Sequence, residues 1–402
     1  MENRLLHTPE GVRDIYGAEC EKKQILQNRL SAVLQQYGYQ AIETPTFEYF
    51  DVFSREVGTT SSRELFKFFD REGNTLVMRP DFTPSIARSA AKYYHDEDMP
   101  IRFGYMGNTY INHLSLQGRF KETTQLGAEL IGDDSVNADA EMIALMIRCL
   151  KTAGLKEFQV SIGHIDFFKG LIQEADLDED TESELRELIS NKNHFGVEEL
   201  LAEHNIPEDV KQCLKVTPEL FGSIDMLAKT KEMVHNEKSR AALERLEAVY
   251  EALKIYGVED YVTFDLGMVS KYKYYTGVIF KAYTYGVGEA LITGGRYDSL
   301  LKHFGKDAPA IGCVLIVNQL LLALSRQKIN IETEKNGILI VYEAEAAKEA
   351  VRKAEELRSE GKKAALLLKK ETATLQDCIA YGKRNCFGTI YHVTKEGTVT
   401  EQ

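Results

Sequence analysis

The sequence has 402 residues, of which 62 are acidic and 49 basic, and it carries a net charge of −13 at neutral pH. This length predicts a sizeable hydrophobic core divided between two or three domains. The acidic balance disfavours a large nucleic-acid footprint, because phosphate binding needs clustered lysine and arginine side chains. No apolar run is long enough to cross a membrane and the first residues do not resemble a signal peptide, so we expect a cytoplasmic protein.

The first predicted elements are a helix over residues 18–37 and a short strand over residues 41–44. Apolar residues recur at helical spacing along the helix, and Gly38 ends it. Pro45 fits the end of the strand, because proline cannot donate a hydrogen bond to a neighbouring strand. A helix and strand of this kind are typical either of core packing or of a subunit interface, and the pattern alone favours the core.

An apolar strand that begins at Thr75 runs into a polar turn bounded by two prolines, and a helix is predicted to begin near Ser85. Asp81 and Thr83 lie in this turn. Both residue types are common in turns and at the amino-terminal ends of helices. A local structural role is therefore the simpler explanation of these two side chains, and ligand binding is the alternative.

Two further strands are predicted over residues 101–113 and 121–131. In the second strand Gln125, Gly127 and Glu129 share one face, since alternate side chains of a strand point the same way. A solvent-exposed face explains the two polar side chains but leaves the glycine between them unexplained. A pocket floor explains the glycine as a source of space, and the carboxylate and amide can then bind an ammonium group.

The middle of the chain is predicted to be largely helical. A helix over residues 141–153 and a strand over residues 158–165 come first, and amphipathic helical runs continue from about residue 168 to residue 256. We interpret this stretch as a helical insertion. Its acidic run, residues 176–180, lacks the glycine and the terminal glutamate of a calcium loop, so it predicts a solvated turn and not a metal site.

Strands return after the helical stretch, and residues 268–280 are predicted to form one of them. In such a strand Tyr275 and Gly277 share one face and Tyr274 points to the other. A glycine within a strand often marks the close approach of a ligand or of another backbone, and tyrosine supplies a flat apolar body with a polar tip. An ordinary packed strand is the commoner structure for this pattern.

Gly294 and Gly295 are predicted to precede a helix that begins near Tyr297. The amino-terminal end of a helix presents free amides and the positive end of the helix dipole, which suit a carboxylate ligand. Paired glycines before a helix are equally typical of a plain turn. The signal is therefore weak when it stands alone.

The apolar residues 308–324 close a large domain of residues 1–325. Residues 336–402 alternate strand, helix, strand, helix and strand, which predicts a small α/β domain with parallel strands. The six cysteines are scattered without the spacing of a zinc or redox site, and no phosphate-binding, dinucleotide-binding or metalloprotease motif occurs. We therefore expect neither a metal nor a cofactor.

Five segments, taken together and in order, resemble the class II histidyl-tRNA synthetase family. They are Gly11-Val12-Arg13-Asp14, Met78-Arg79-Pro80-Asp81-Phe82-Thr83, Gly118-Arg119 with Gln125-Leu126-Gly127-Ala128-Glu129, Tyr274-Tyr275, and Gly294-Gly295-Arg296-Tyr297-Asp298. The resemblance implies an α+β fold with an antiparallel sheet flanked by helices, and a homodimer formed through residues 18–45. It also implies a histidine site made by Asp81, Thr83, Gln125, Glu129, Tyr274, Tyr275 and Tyr297. Asp81 stands where the family usually has glutamate, so its contact would be shorter.

Three positions depart from the synthetases where the chemistry needs arginine. The family has arginines that hold the ATP phosphates and stabilise charge during adenylate formation, and the matching residues here are Ile111, Ser270 and Gln319. None of these side chains is charged, whereas arginine is suited to bidentate phosphate binding. Losing one preorganised donor costs on the order of 100- to 1000-fold in rate, so losing three should abolish adenylation. His113 also replaces an acidic residue of the second motif, and Arg119 remains as a possible loop contact.

An amino-acid pocket retained without the phosphate chemistry resembles the regulatory subunits of ATP phosphoribosyltransferase, a synthetase-like family. This resemblance implies a protein without catalytic residues that joins the short-form catalytic subunit in a hetero-octamer. It implies histidine as the ligand, feedback inhibition of the first step of histidine biosynthesis, and no tRNA partner. Two alternatives remain open, namely a true histidyl-tRNA synthetase with rearranged phosphate contacts and a free-standing histidine sensor.

Overall fold

The structure is a computed structural model that describes residues 4–53, 60–113, 119–269, 274–333 and 337–402. The chain divides into two compact units, Met1–Ile331 and Glu332–Gln402. Within the described ranges, no helix combines the length and the apolar surface that crossing a lipid bilayer requires.

Strands dominate the centre of the first unit. They are, in chain order, β1 (Gln40–Ala41), β2 (Phe47–Tyr49), β3 (Lys67–Phe69), β4 (Thr75–Met78), β5 (Ile101–Tyr110), β6 (Glu122–Ile131), β7 (Gln159–His164), β8 (Phe221–Gly222), β9 (Val262–Asp265), β10 (Val278–Tyr283), β11 (Ile292–Arg296) and β12 (Ala310–Ile316). Among the described residues, nine of these strands form one sheet in the order β1-β5-β6-β12-β11-β10-β7-β9-β8, and β2, β4 and β3 form a separate small sheet. The pairs β1–β5 and β7–β9 are parallel, whereas the run from β5 to β7 is antiparallel. The predicted antiparallel sheet is thus correct for the centre, and the complete sheet is mixed.

Helices flank this sheet. They are, in chain order, α1 (Gly17–Gln36), α2 (Thr83–Tyr93), α3 (Val136–Ala153), α4 (Ile165–Ala175), α5 (Glu179–Ser190), α6 (His194–Ala202), α7 (Glu208–Val216), α8 (Ile224–Met233), α9 (Glu237–Tyr256) and α10 (Val317–Arg326). α3 contacts α1, α9 and β12 and is largely buried. The hydroxyl of Ser135 caps its first turn by accepting from the Ala138 amide at 3.2 Å, and Gly154 ends it at a φ of 101°. This cap explains why the helix begins earlier than residue 141.

Helices α4 to α9 form the stretch that the sequence predicts to be a helical insertion. Their buried side chains, among them Leu185, Val197 and Leu246, belong to the same hydrophobic cluster as Leu126 of β6 and the apolar face of α3. Continuous burial of this kind is what holds packed elements together. The helical stretch is therefore packed into the core of the first unit.

Of the predicted strand over residues 268–280, the described residues 268–269 and 274–277 are not in a strand, and β10 begins only at Val278. Residues 270–273 lie outside the described part of the chain. The hydroxyl of Thr276 donates to the Asp298 carboxylate at 3.1 Å and accepts from the Asp298 amide at 2.9 Å. Side-chain bonds of this kind compete with the regular bonding of a strand, so the tyrosine pair lies in a turn.

Gly277 makes room for a protein side chain, whereas its pattern had left open the approach of a ligand, of another backbone, or ordinary strand packing. An added Cβ at this glycine would lie 3.1 Å from Cδ of Arg296. This distance is tighter than ordinary van der Waals contact. The glycine therefore allows the Arg296 side chain to pack closely against the backbone just before β10.

The predicted helix near Tyr297 is also wrong. Gly294 and Gly295 lie within β11, and the helical element that follows is a short 3₁₀ turn, Leu300–Phe304. A Cβ on Gly294 would overlap the ring of Phe280 on the neighbouring strand. The paired glycines thus permit close side-chain packing across the sheet and do not open a helix.

The second unit is a small α/β domain. Its elements are β13 (Gly337–Tyr342), α11 (Ala347–Ser359), β14 (Lys363–Leu368), α12 (Leu375–Arg384), β15 (Phe387–Val393) and β16 (Val399–Glu401). β13 lies between β14 and β15 and is parallel to both, as the alternation of strands and helices predicts. The antiparallel edge strand β16 was not predicted, because its three residues are all exposed and show no alternation.

Candidate ligand-binding site

A cavity of about 720 Å³ lies on the face of the sheet formed by β6, β11 and β12. Its lining contains six of the seven residues that the sequence predicts as a histidine site, namely Asp81, Thr83, Gln125, Tyr274, Tyr275 and Tyr297. Ile111, Gln319, His113 and Arg119 line the same cavity. The prediction for Ser270 concerns a position outside the described residues. Segments more than 200 residues apart in the sequence are thus brought to one place.

Glu129 lies beneath the lining, with only 1% of its surface exposed. Its carboxylate accepts hydrogen bonds from the hydroxyl of Thr83, at 2.8 Å, and from the hydroxyl of Tyr297. Gly312 on β12 leaves the space that this carboxylate occupies, since a Cβ there would overlap Oε2 of Glu129. One acidic group is therefore positioned jointly by β6, α2, β12 and the end of β11.

Burial raises the pKa of Glu129 to about 8, and the hydrogen bonds from Tyr297 and Thr83 oppose this shift. Asp81 adds to the rise, because a second carboxylate nearby disfavours the charged form. A cationic ligand would act in the opposite direction, since an opposite charge favours the ionised carboxylate. The site therefore has the electrostatic character of a binding site for a small cation that can share a proton.

Asp81 has the local structural role that the sequence suggests, and it also lines the cavity. Its carboxylate accepts from the backbone amide of Thr83 at 3.2 Å, which fixes the turn before α2. This turn aims the Thr83 hydroxyl at Glu129. The capping and binding interpretations are thus compatible, because the same turn places both side chains.

Three tyrosine rings line the cavity next to one another. The rings of Tyr274 and Tyr275 lie 4.7 Å apart between centroids, and Tyr274 meets Tyr297 edge to face at 5.9 Å. This arrangement suits a flat ring or a small cation, because aromatic faces carry partial negative charge and their edges partial positive charge.

Tyr105 is a neighbour of the site that sequence reasoning missed. It pairs across the sheet with Gly127, and a Cβ on that glycine would overlap the Tyr105 ring. The ring also stacks on Phe82 at 4.4 Å. The cross-strand register of β5 and β6 is the signal that could have found it. Gly127 therefore separates Gln125 from Glu129 so that a tyrosine can pass beneath the pocket floor.

Gln125 contributes an acceptor to the cavity. Its Oε1 atom is buried and makes no hydrogen bond with any residue in the described part of the chain. A buried acceptor without a partner is costly by about 1–3 kcal/mol. A ligand N–H group in the cavity would satisfy this atom, so Gln125 is suited to hold an ammonium group.

Among the described residues that line the cavity, little net positive charge is available to a ligand. Ile111 and Gln319 are uncharged, and the Gln319 amide donates to Glu289 at 2.9 Å. The guanidinium of Arg119 faces the same Glu289, with Nε 3.5 Å from Oε1. Phosphate groups bind where several cationic donors converge. The cavity is therefore better suited to a small amino acid than to a nucleoside triphosphate.

Across the described ranges, no group of three or more His, Cys, Asp or Glu side chains is arranged to hold a metal ion.

Comparison with known proteins gives a consistent result. The family model described as histidyl-tRNA synthetase matches residues 11–320. The chain is 43% identical to the ATP phosphoribosyltransferase regulatory subunit of Acetivibrio thermocellus, over 90% of this chain and 86% of that protein. It is 39% identical to the regulatory subunit of Ruminiclostridium cellulolyticum, over 90% and 87% of the two chains. A crystal structure from Bacillus halodurans, described as an ATP phosphoribosyltransferase regulatory subunit/histidyl-tRNA synthetase, superposes with a TM-score of 0.86 at 32% identity, covering 97% of this chain and 98% of that one.

Proposed function

The chain belongs to the family of ATP phosphoribosyltransferase regulatory subunits, which share the class II histidyl-tRNA synthetase fold, and we propose that it binds histidine to regulate its catalytic partner. It has a regulatory and not a catalytic role in that enzyme. Histidine is the end product of the pathway in which the partner would catalyse the first step. Binding it would allow feedback inhibition.

The observation that carries this proposal is the buried Glu129 under an aromatic pocket. The imidazole ring of histidine would lie against Tyr275 and Tyr297, with an N–H group directed at the Glu129 carboxylate. Gln125 and Asp81 also line the cavity and would hold the α-ammonium group. Thr83 would assist by orienting Glu129, to which it already donates.

Assembly forms the second part of the proposal. The partner is the short-form catalytic subunit, and the complex is a hetero-octamer that contains a homodimer formed through residues 18–45. The interior face of α1 supplies core residues Leu26, Leu30 and Leu34, so the dimer contact would use its outer face. We propose a cytoplasmic location and no tRNA partner.

The decisive experiment measures the activity of the short catalytic subunit alone, with this chain, and with this chain plus histidine. We expect this chain to form a complex on size-exclusion chromatography, to raise the activity, and to make it sensitive to histidine. Histidine can regulate only by binding one state of the complex better than another. Absence of a complex and of any change in activity would contradict the proposal and favour a free-standing sensor.

The alternative of a true synthetase is tested by histidine-dependent pyrophosphate exchange. We expect no exchange above background, because Ile111 and Gln319 supply no charge to the phosphates. Exchange at rates typical of a synthetase would favour that alternative.

Histidine affinity should depend on pH in a specific way. Between about 6.5, the pKa of free imidazole, and about 8, the pKa of Glu129, the carboxyl group is protonated and the ring is neutral. A complex in which the carboxyl group and the ring share one proton forms without taking up or releasing a proton. We therefore expect constant affinity in this range. Affinity should fall about tenfold per pH unit above 8, where a proton must be taken up, and below 6.5, where one must be released.

Isothermal titration calorimetry from pH 5.5 to 9 measures this profile directly. A steady rise in affinity from pH 6.5 to 8 would contradict a shared proton. It would indicate that Glu129 loses its proton when the ligand binds.

A further inference from the structure

A buried ion network connects the helical stretch to the sheet beside the ligand pocket. Asp139 of α3 is fully buried. Its Oδ1 atom accepts from Nε and Nη2 of Arg296, at 2.9 and 2.7 Å, and its Oδ2 atom accepts from Nε of Arg245, at 2.8 Å. Arg296 ends β11 and Arg245 belongs to α9. One carboxylate therefore holds two elements that are distant in sequence.

Both arginines are anchored a second time. Arg245 donates to the backbone carbonyl of Asp134 at 2.7 Å, and Arg296 donates to that of Asp133 at 3.0 Å. The planar guanidinium group carries a charge and also fixes the directions of its hydrogen bonds, because its donors have a rigid geometry. The two guanidinium groups therefore meet one carboxylate in a fixed geometry, which links the position of α9 to that of Arg296.

The network continues into the pocket through three consecutive residues. Arg296 carries the ion pair, Tyr297 donates to Glu129, and Asp298 holds Thr276 and accepts from the Ala310 amide at 3.1 Å. The amide of Thr276 donates to the carbonyl of Arg296 at 2.8 Å. Thr276 directly follows the tyrosine pair that lines the cavity. Movement of Arg296 would thus displace both Tyr297 and the segment that carries Tyr275.

A second contact joins the same two regions. The ammonium group of Lys192, in the turn between α5 and α6, lies 2.7 Å from Oδ1 of Asp265 at the end of β9. The same oxygen accepts from the amide of Gly267 at 3.0 Å. This contact fixes the start of the connection from β9 to the tyrosine pair. The helical stretch therefore holds that connection near its start and, through Thr276, at its end.

We propose that helices α4 to α9 are the element through which histidine binding is coupled to regulation, with Arg245 as the positioning residue. The proposal rests on the proposed function, since it concerns the same pocket. Coupling between sites is reciprocal, so a partner that shifts α9 changes histidine affinity by the same factor as histidine changes the affinity for that partner. Couplings of this kind typically amount to about 5- to 150-fold.

The test compares Arg245→Ala, Arg245→Lys and a control, Glu247→Gln, in the full chain. Glu247 lies on the same helix and pairs with Lys231 at 3.1 Å, away from the network. We expect Arg245→Ala to weaken histidine binding about fivefold or more and to speed hydrogen exchange at residues 274–276. Arg245→Lys should restore part of the histidine affinity and part of the protection from exchange. Lysine keeps the charge but cannot bond to the Asp139 carboxylate and the Asp134 carbonyl with the same geometry. The control should change neither.

A purely structural role gives a different result. If Arg245→Ala lowers the melting temperature but leaves the histidine Kd and the exchange of residues 274–276 equal to those of the control, the proposal is wrong. If the wild-type chain does not bind histidine, the proposed function fails. The hydrogen exchange of residues 274–276 then still decides whether Arg245 positions this segment.

Discussion

Replacing Glu129 with glutamine should weaken histidine binding by roughly 30- to 1000-fold, the equivalent of about 2–4 kcal/mol. Glutamine keeps the size of the side chain and can still bond to the hydroxyls of Thr83 and Tyr297. It removes the carboxyl group that would share a proton with the imidazole ring. Titration calorimetry at pH 7.5 measures the effect, and the sensitivity of the partner's activity to histidine should fall by a similar factor.

The matched control is Glu122→Gln. Glu122 lies on the same strand and accepts from the Asn108 amide at 2.7 Å, outside the lining of the cavity. We expect the histidine affinity of the Glu122→Gln variant to equal that of the wild type. An unchanged Kd in the Glu129 variant would refute the assignment of this residue to the ligand.

The folding of the Glu129→Gln variant can be checked through the pH dependence of its melting temperature. The pKa of Glu129 is about 8 in the folded chain, above the value of about 4.3 expected when unfolded. The protonated carboxyl therefore favours the folded state, and this contribution is lost as the pH rises through 8. Because glutamine does not titrate, the melting temperature of the variant should rise relative to wild type from pH 6 to about 8 and level off above that.

Replacing Asp139 with alanine should lower the free energy of unfolding by about 3–5 kcal/mol. The change removes the carboxylate between Arg296 and Arg245 and leaves a buried guanidinium whose other partners are Asp298, at 3.2 Å, and a backbone carbonyl. An unpaired charge in the interior is costly because it has lost its hydration. Urea unfolding followed by circular dichroism gives the difference.

Glu251→Ala is the control for this measurement. Glu251 is exposed on α9 and pairs with Lys254 one turn away, so its loss should cost no more than about 0.5 kcal/mol. A loss below about 1 kcal/mol for Asp139→Ala would mean that Asp298 and the carbonyl of Asp133 satisfy Arg296 by themselves.

Sequence reasoning placed Gln125 and Glu129 on one face of a strand because that signal is local, but it did not find that the Tyr105 ring fills the space beside Gly127. In β6, alternate side chains of a strand share a face, so Gln125 and Glu129 could be placed together with a glycine between them. The parallel strands of the second unit could also be predicted from the sequence, since strands that alternate with helices have few possible topologies.

The errors arose where a partner lies far along the chain. Gly277 faces Arg296, and Thr276 is held by Asp298, so the predicted strand could not begin before Val278. The bonds of Asp139 to Arg245 and Arg296 span 106 and 157 residues and leave no periodic pattern in the sequence. Such contacts depend on tertiary structure, which overrides local preference.

The long span of the Asp139 network also constrains how the chain matures on the ribosome. α3 is synthesised early, but the arginine that neutralises its buried carboxylate in the sheet lies 157 residues later. Long-range contacts of this kind form slowly, because a large loop must close first. A nascent chain that ends before residue 296 cannot complete this core, so we expect part of its apolar surface to stay exposed until the last strands emerge.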